Sequence, residues 1–128
     1  MPNEILIVED DRDLAENLAE LLEGRGYATT IAGSAERALE LVGTRAFSGI
    51  ITDFRLPGLD GIEFIEALRK LDAKLPVAVV SAFMDERMAE AAQAAGALEV
   101  LHKPVKFDRL FELLEAFVAL VESAMARK

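Results

Sequence analysis

Apolar residues along this chain switch between two rhythms. Ile5–Val8 is an unbroken apolar run of the length expected for a strand buried on both faces. Leu14, Leu18, Leu21 and Leu22 then recur at helical spacing, with Asp11 placed to cap that helix and Gly24 and Gly26 to end it. The alternation repeats. Tyr27–Ala32 is β-branched enough for a second strand, and Ser34 opens a helix through Leu39 and Val42. Gly49–Asp53 predicts a third strand with a carboxylate at its C-terminal end. The turn residues of Leu56–Gly61 follow, then a helix over Ile62–Leu71. Pro76 opens a strand over Val77–Ser81, a helix runs from Asp85 to Ala95 and closes at Gly96, and Leu98–His102 reads as a fifth strand. Lys103-Pro104 breaks the chain before a long helix carrying Leu110, Phe111, Leu114, Phe117, Val118 and Val121.

Strand and helix thus alternate five times with no linker, repeat or low-complexity tract. The fold class this predicts is α/β: a doubly wound, five-stranded parallel sheet with helices on both faces. Its 128 residues suit a single domain over 1–128.

In such a sheet the functional crevice lies beyond the carboxyl ends of the strands. Glu9, Asp10 and Asp11 follow the first strand, Asp53 ends the third, Ser81 the fourth, and His102 and Lys103 the fifth. Any one of these has a plain explanation. Acids favour helix N-termini, an Asp forms turns, and a lone His is usually structural. Their meeting at four strand ends is a different matter. Crowded carboxylates need a compensating cation, and hard oxygen donors in this number suit Mg²⁺. A strand-end carboxylate also serves as a nucleophile toward phosphorus, with a lysine and a hydroxyl to neutralise the transferring oxygens. Phosphoryl acceptance on Asp53 follows as a complete chemical hypothesis.

Composition narrows the partners. The net charge is −9, and residues 1–64 hold 13 acidic against 5 basic side chains, so no direct binding to nucleic acid or to an anionic membrane is expected. The absence of cysteine excludes disulfides, thiolate metal sites and a cysteine nucleophile. Neither a signal segment nor a membrane span is readable, which makes a cytoplasmic location the expectation.

Ile5-Leu-Ile-Val-Glu-Asp10, Ile50-Ile-Thr-Asp-Phe-Arg-Leu-Pro-Gly-Leu-Asp-Gly61, Val79-Val-Ser-Ala82 and Lys103-Pro104, in this order and spacing, resemble the receiver (response regulator) domain of bacterial two-component signalling. The resemblance covers residues from about Glu4 to Val121 and implies flavodoxin-like topology. It implies that Asp53 is phosphorylated by a histidine kinase or histidine phosphotransfer protein, and that Glu9, Asp10, Asp53 and the backbone carbonyl of Arg55 hold Mg²⁺. Asp10 would bind the ion directly and Glu9 through a water. Ser81 and Lys103 would contact the phosphoryl group, and Pro104 would follow a cis peptide that aims the lysine into the site. The product is a switch that changes its affinity for a downstream protein, not a turnover enzyme. A homodimer through the fourth helix, fifth strand and fifth helix also fits.

One position departs from the family. Val100 stands where an aromatic usually rotates inward, and valine has neither the reach nor a comparable pair of states. Any signal is then expected to pass through Ala82, Phe83 and Met84 and a sliding of the alanine-rich helix Glu86–Ala95, toward a surface offering Leu98, Val100 and Phe107. Arg55 and Phe83 occupy positions where the family varies in phosphoryl lifetime. Val100 keeps open a pseudo-receiver that binds partners without phosphorylation. No effector domain fits after Val121, which leaves a stand-alone regulator or a receiver excised from a longer transcription factor or hybrid kinase. A haloacid-dehalogenase-type phosphatase would need a carboxylate where Arg55 stands. A flavin binder would need a glycine- and hydroxyl-rich loop where three acids follow the first strand.

Overall fold

The computed structural model describes residues 3–56, 58–82 and 85–126, with no side-chain detail for residues 124–126. Strands and helices alternate as β1 (Glu4–Val8), α1 (Arg12–Glu23), β2 (Ala28–Ala32), α2 (Ala35–Thr44), β3 (Gly49–Asp53), α3 (Gly61–Leu71), β4 (Val77–Ser81), α4 (Glu86–Ala95), β5 (Glu99–His102) and α5 (Phe107–Ala126). The sheet is parallel throughout in the order β2-β1-β3-β4-β5. This is the doubly wound, flavodoxin-like arrangement, in which the order reverses between β1 and β3.

Burial explains why the central strands read as unbroken apolar runs. Leu6, Val8, Ile50, Val77 and Val79 face one core, shared with α2, α3 and α4. Ile5, Ile7, Ile51, Ala78 and Val80 face a second core under α1 and α5. The outer strands β2 and β5 are only partly covered. Asp11, Ser34, Asp60 and Asp85 each cap a helix, accepting a hydrogen bond from a backbone N–H in its first turn. Among the described residues, no helix is long and apolar enough to cross a membrane.

Two sequence expectations change in detail. In α1 the residues that enter the core are Ala15, Ala19 and Leu22, while Leu14 and Leu21 stay largely exposed. Both sets have helical spacing, and only packing tells which faces the sheet. In α5 the buried set includes Leu113, whereas Val118 and Val121 are half-buried.

The second core holds one very close approach. A Cβ on Gly49, at the start of β3, would lie 2.5 Å from Cδ2 of the fully buried Phe117. The ring of α5 therefore rests directly on the β3 backbone. We expect Phe117→Ala to destabilise the fold by about 3–5 kcal/mol. Gly49→Ala should also destabilise, but markedly less in the Phe117→Ala background, a coupling that a urea-denaturation double-mutant cycle measures.

Candidate functional site

Strand register brings the polar residues together. Val8 pairs with Thr52, Asp53 with Val80, and Ser81 with His102. The ladder continues one residue further: Glu9 N–H donates to the Ala32 carbonyl, Phe54 N–H to Val80, and Lys103 N–H to Ser81. Glu9 and Asp53 consequently emerge side by side at the C-terminal edge of the sheet, with Lys103 on the far side of β4. All three follow positions facing the α1–α5 core, because side chains alternate along a strand.

Lys103 spans the edge. Its Nζ lies 3.0 Å from Asp53 Oδ2 and 3.2 Å from Glu9 Oε1. To reach them it crosses the end of β4, where Ser81 and Ala82 are small. Asp53 Oδ1 accepts the Arg55 N–H at 3.0 Å, and Glu9 Oε2 accepts the Asp11 N–H at 3.2 Å. Glu9, Asp10 and Asp53 each present a carboxylate oxygen within 4.8 Å of the other two. Ser81 is buried at the end of β4. The Lys103–Pro104 peptide is cis. Antiparallel bridging of Arg55 with Asp60 ties the β3–α3 loop, which holds Arg55 beside the acids.

The ionisation pattern follows from this crowding. Burial would depress the Lys103 ammonium, but its hydrogen bonds to Asp53 and Glu9 and their negative charge outweigh that, and the pKa is raised above 10.5. Burial pushes the Glu9 carboxyl above 4.5, against the opposing pull of the Asp11 N–H and of Lys103, while a hydrogen bond with Asp10 pushes the same way as burial. Carboxylate oxygens alone, in a crowded and partly buried set, are a donor chemistry that suits a hard divalent cation such as Mg²⁺.

Of the strand-end residues singled out in the sequence, Glu9, Asp10, Asp53 and Lys103 meet at this edge, Ser81 is buried next to it, and Asp11 caps α1. His102 is exposed, and its Nδ1 lies 2.8 Å from the Lys103 carbonyl. Val100 packs half-buried against the α2–α4 core, so it contributes less outer surface than expected, while Leu98 and Phe107 are indeed exposed. Phe83 and Met84 lie outside the described residues.

Sequence reasoning missed a cleft of about 600 Å³ that starts at Glu9, Asp53 and Lys103 and runs between α1 and the β5–α5 connection. Leu14, Leu18 and Leu21 form one wall, and Pro104, Val105 and Phe107 the other. The signal was present: these three α1 leucines make a second apolar stripe, one residue out of step with Ala15, Ala19 and Leu22.

Residues 5–115 match the response regulator receiver domain family, and the chain belongs to it. A response regulator receiver protein of Anaeromyxobacter sp. (strain Fw109-5) is 40% identical over 108 residues, which cover 84% of this chain and 45% of that protein. Transcriptional regulatory protein ZraR of Salmonella typhimurium is 37% identical over 116 residues, 91% of this chain and 26% of its own length. The chain therefore spans less than half of these curated relatives. Among solved structures, a response regulator from Burkholderia pseudomallei with a phosphorylated aspartic acid, calcium ion and citrate superimposes with a TM-score of 0.83 at 28% identity, covering 97% of this chain and 73% of that one. Receiver domains act as signalling switches in two-component systems, not as classical enzymes.

The charge arrangement has a measurable consequence. Replacing Lys103 by Met removes two influences that lower the Glu9 pKa and leaves burial unopposed by a cation. The Glu9 carboxyl should then titrate at higher pH than in the wild type, as followed by NMR of its side-chain carboxyl carbon. An unchanged or lower value would show that Lys103 does not set this ionisation.

Proposed function

We propose that this receiver is a phosphoryl-accepting switch in which Asp53 is the acceptor. The observation that carries this reading is the Asp53 carboxylate itself. It is held between Lys103 Nζ and the Arg55 N–H and sits in an oxygen cluster with Glu9 and Asp10. A carboxylate oxygen of Asp53 attacks the phosphorus of a phosphohistidine on a histidine kinase or phosphotransfer protein. The P–O bond forms as the P–N bond breaks, and the imidazole nitrogen keeps the electron pair and takes up a proton. Lys103 already bridges the acceptor and pairs with the phosphoryl oxygens as they arrive, and the Ser81 hydroxyl contacts the same group.

Glu9, Asp10, Asp53 and the Arg55 carbonyl are the groups that would hold Mg²⁺, Asp10 as a direct ligand and Glu9 by way of a water. When bound there, Mg²⁺ would supply positive charge to offset that of the transferring group. Without it, the three carboxylates repel each other, and Lys103 compensates part of that charge.

The cleft beside Asp53 gives the donor protein an apolar seat next to the acceptor. On the far side, exposed Leu98 and Leu120 favour a downstream protein or a second copy on the α4–β5–α5 face. The domain occupies residues 1–128 with its core over 4–121, acts in the cytoplasm, and does not bind nucleic acid or membrane directly. The lengths of its relatives are consistent with a receiver taken from a longer regulator. One observation favours a second reading: Val100 provides no aromatic rotor, which suits a pseudo-receiver that recognises partners without being phosphorylated.

Incubation with acetyl phosphate and Mg²⁺ separates the two. Intact mass should rise by one phosphoryl group in the wild type, and Asp53→Asn should abolish the gain. Labelling of the Asn variant at the wild-type rate would overturn the assignment, and no labelling of the wild type would favour the pseudo-receiver. Asp10→Ala should weaken Mg²⁺ binding in a metal titration by at least the roughly 10- to 100-fold typical of losing an outer-shell partner.

A further inference from the structure

Arg69 occupies the last turn of α3, and every hydrogen bond described for its guanidinium goes to a backbone carbonyl. Nη1 donates to Leu75 at 2.6 Å and to Asp72 and Ala73 at 3.3 Å, all in the α3–β4 connection. Nε, at 3.1 Å, and Nη2 both donate to the carbonyl of Gly96, at the end of α4. A planar fork of five donors suits this task, and a lysine would not. Gly96 has φ +125°, a conformation that favours glycine, and a Cβ there would lie 2.5 Å from Arg69 Nε. The glycine thus both turns the chain and lets the arginine close onto it. The N–H groups of Gly96 and Ala97 return to the Ala92 carbonyl, completing the helix end.

Packing along α4 is lopsided in the same direction. Ala92 is its one buried residue, Ala95 packs on the core, and Ala97 is buried just beyond it. In the first half, Glu86, Arg87 and Glu90 are exposed, and Met88 and Ala89 are only half-buried. That end is finished by the Asp85 cap, which accepts the Met88 N–H at 2.8 Å.

We propose that the Arg69–Gly96 clasp is the pivot of α4. It fixes the C-terminal end of the helix to α3 and to the connection entering β4, and leaves the N-terminal turns free to swing. The small alanines do not let the helix slide along its axis, because sliding would break both hydrogen bonds to Gly96. A displacement at the C-terminal end of β4 becomes a rotation that is largest at Glu86, Arg87 and Glu90 and vanishes at Gly96. A protein partner that reads the position of α4 therefore contacts those three side chains. The inference does not depend on Asp53 being phosphorylated, since the pivot is present in the unmodified protein.

Amide hydrogen exchange on the unmodified protein tests it. The Gly96 and Ala97 amides should exchange at least about tenfold more slowly than those of Ala89 and Glu90. Arg69→Met should erase that gradient by accelerating Gly96 and Ala97 at least about tenfold, leave β1 and α2 unchanged, and spread microsecond–millisecond line broadening from the first half of α4 to its whole length. Arg69→Lys should fall between the two. If Arg69→Met does not fold, Gly96→Ala breaks the clasp from the other side and should give the same pattern. A wild-type α4 that exchanges at one rate throughout, or a folded clasp variant with unchanged Gly96 and Ala97 rates, would overturn the pivot.

Discussion

One ammonium group organises the functional edge of this molecule. Three carboxylates emerge beside each other because parallel register leaves them no alternative, and their mutual repulsion acts against the sheet edge that carries them. Lys103 answers from the far side of β4 with charge-assisted hydrogen bonds to two of the three. The side chain can do so because the end of β4 bears Ser81 and Ala82 and not a bulky residue. Lys103, itself partly buried, offsets part of this charge within the protein. The remaining negative charge makes the same edge receptive to a divalent cation and to the oxygens of a transferring phosphoryl group.

The sheet supplies the rigidity that this arrangement needs. β1 and β3 are central and buried on both faces, so Glu9 and Asp53 stand on elements with little freedom. Lys103 follows an edge strand, and α4 lies over the same edge with a single buried residue. Acids on the stiff centre and a cation and helix on the softer margin form a natural division of labour. The margin can shift while the acceptor position holds.

Much of this was legible in the residues. The bounds of β3 and β4 follow from short apolar runs ended by Asp53 and Ser81, and the caps Asp11 and Ser34 from their own chemistry. The convergence of Glu9, Asp10, Asp53 and Lys103 needed only the strand order and the rule that loops at the carboxyl ends carry the site. What escaped was whatever depends on packing between elements far apart in sequence. Leu14 and Leu18 look as buried as Leu22 until α5 is in place. Arg69 reads as an ordinary basic residue at a helix end. Its cage of carbonyls comes from two separate connections whose proximity no local pattern encodes.

The contact between Gly49 and Phe117 has a mechanical meaning. A ring seated on bare backbone leaves no compressible side chain between α5 and β3. Load applied along α5 is thus passed to the strand whose other end is Asp53, without a soft layer to absorb it. A protein domain joined beyond α5 would hang from the same stiff member as the acidic cluster. Tension on such a linker and occupancy of the site would then act on one shared strand.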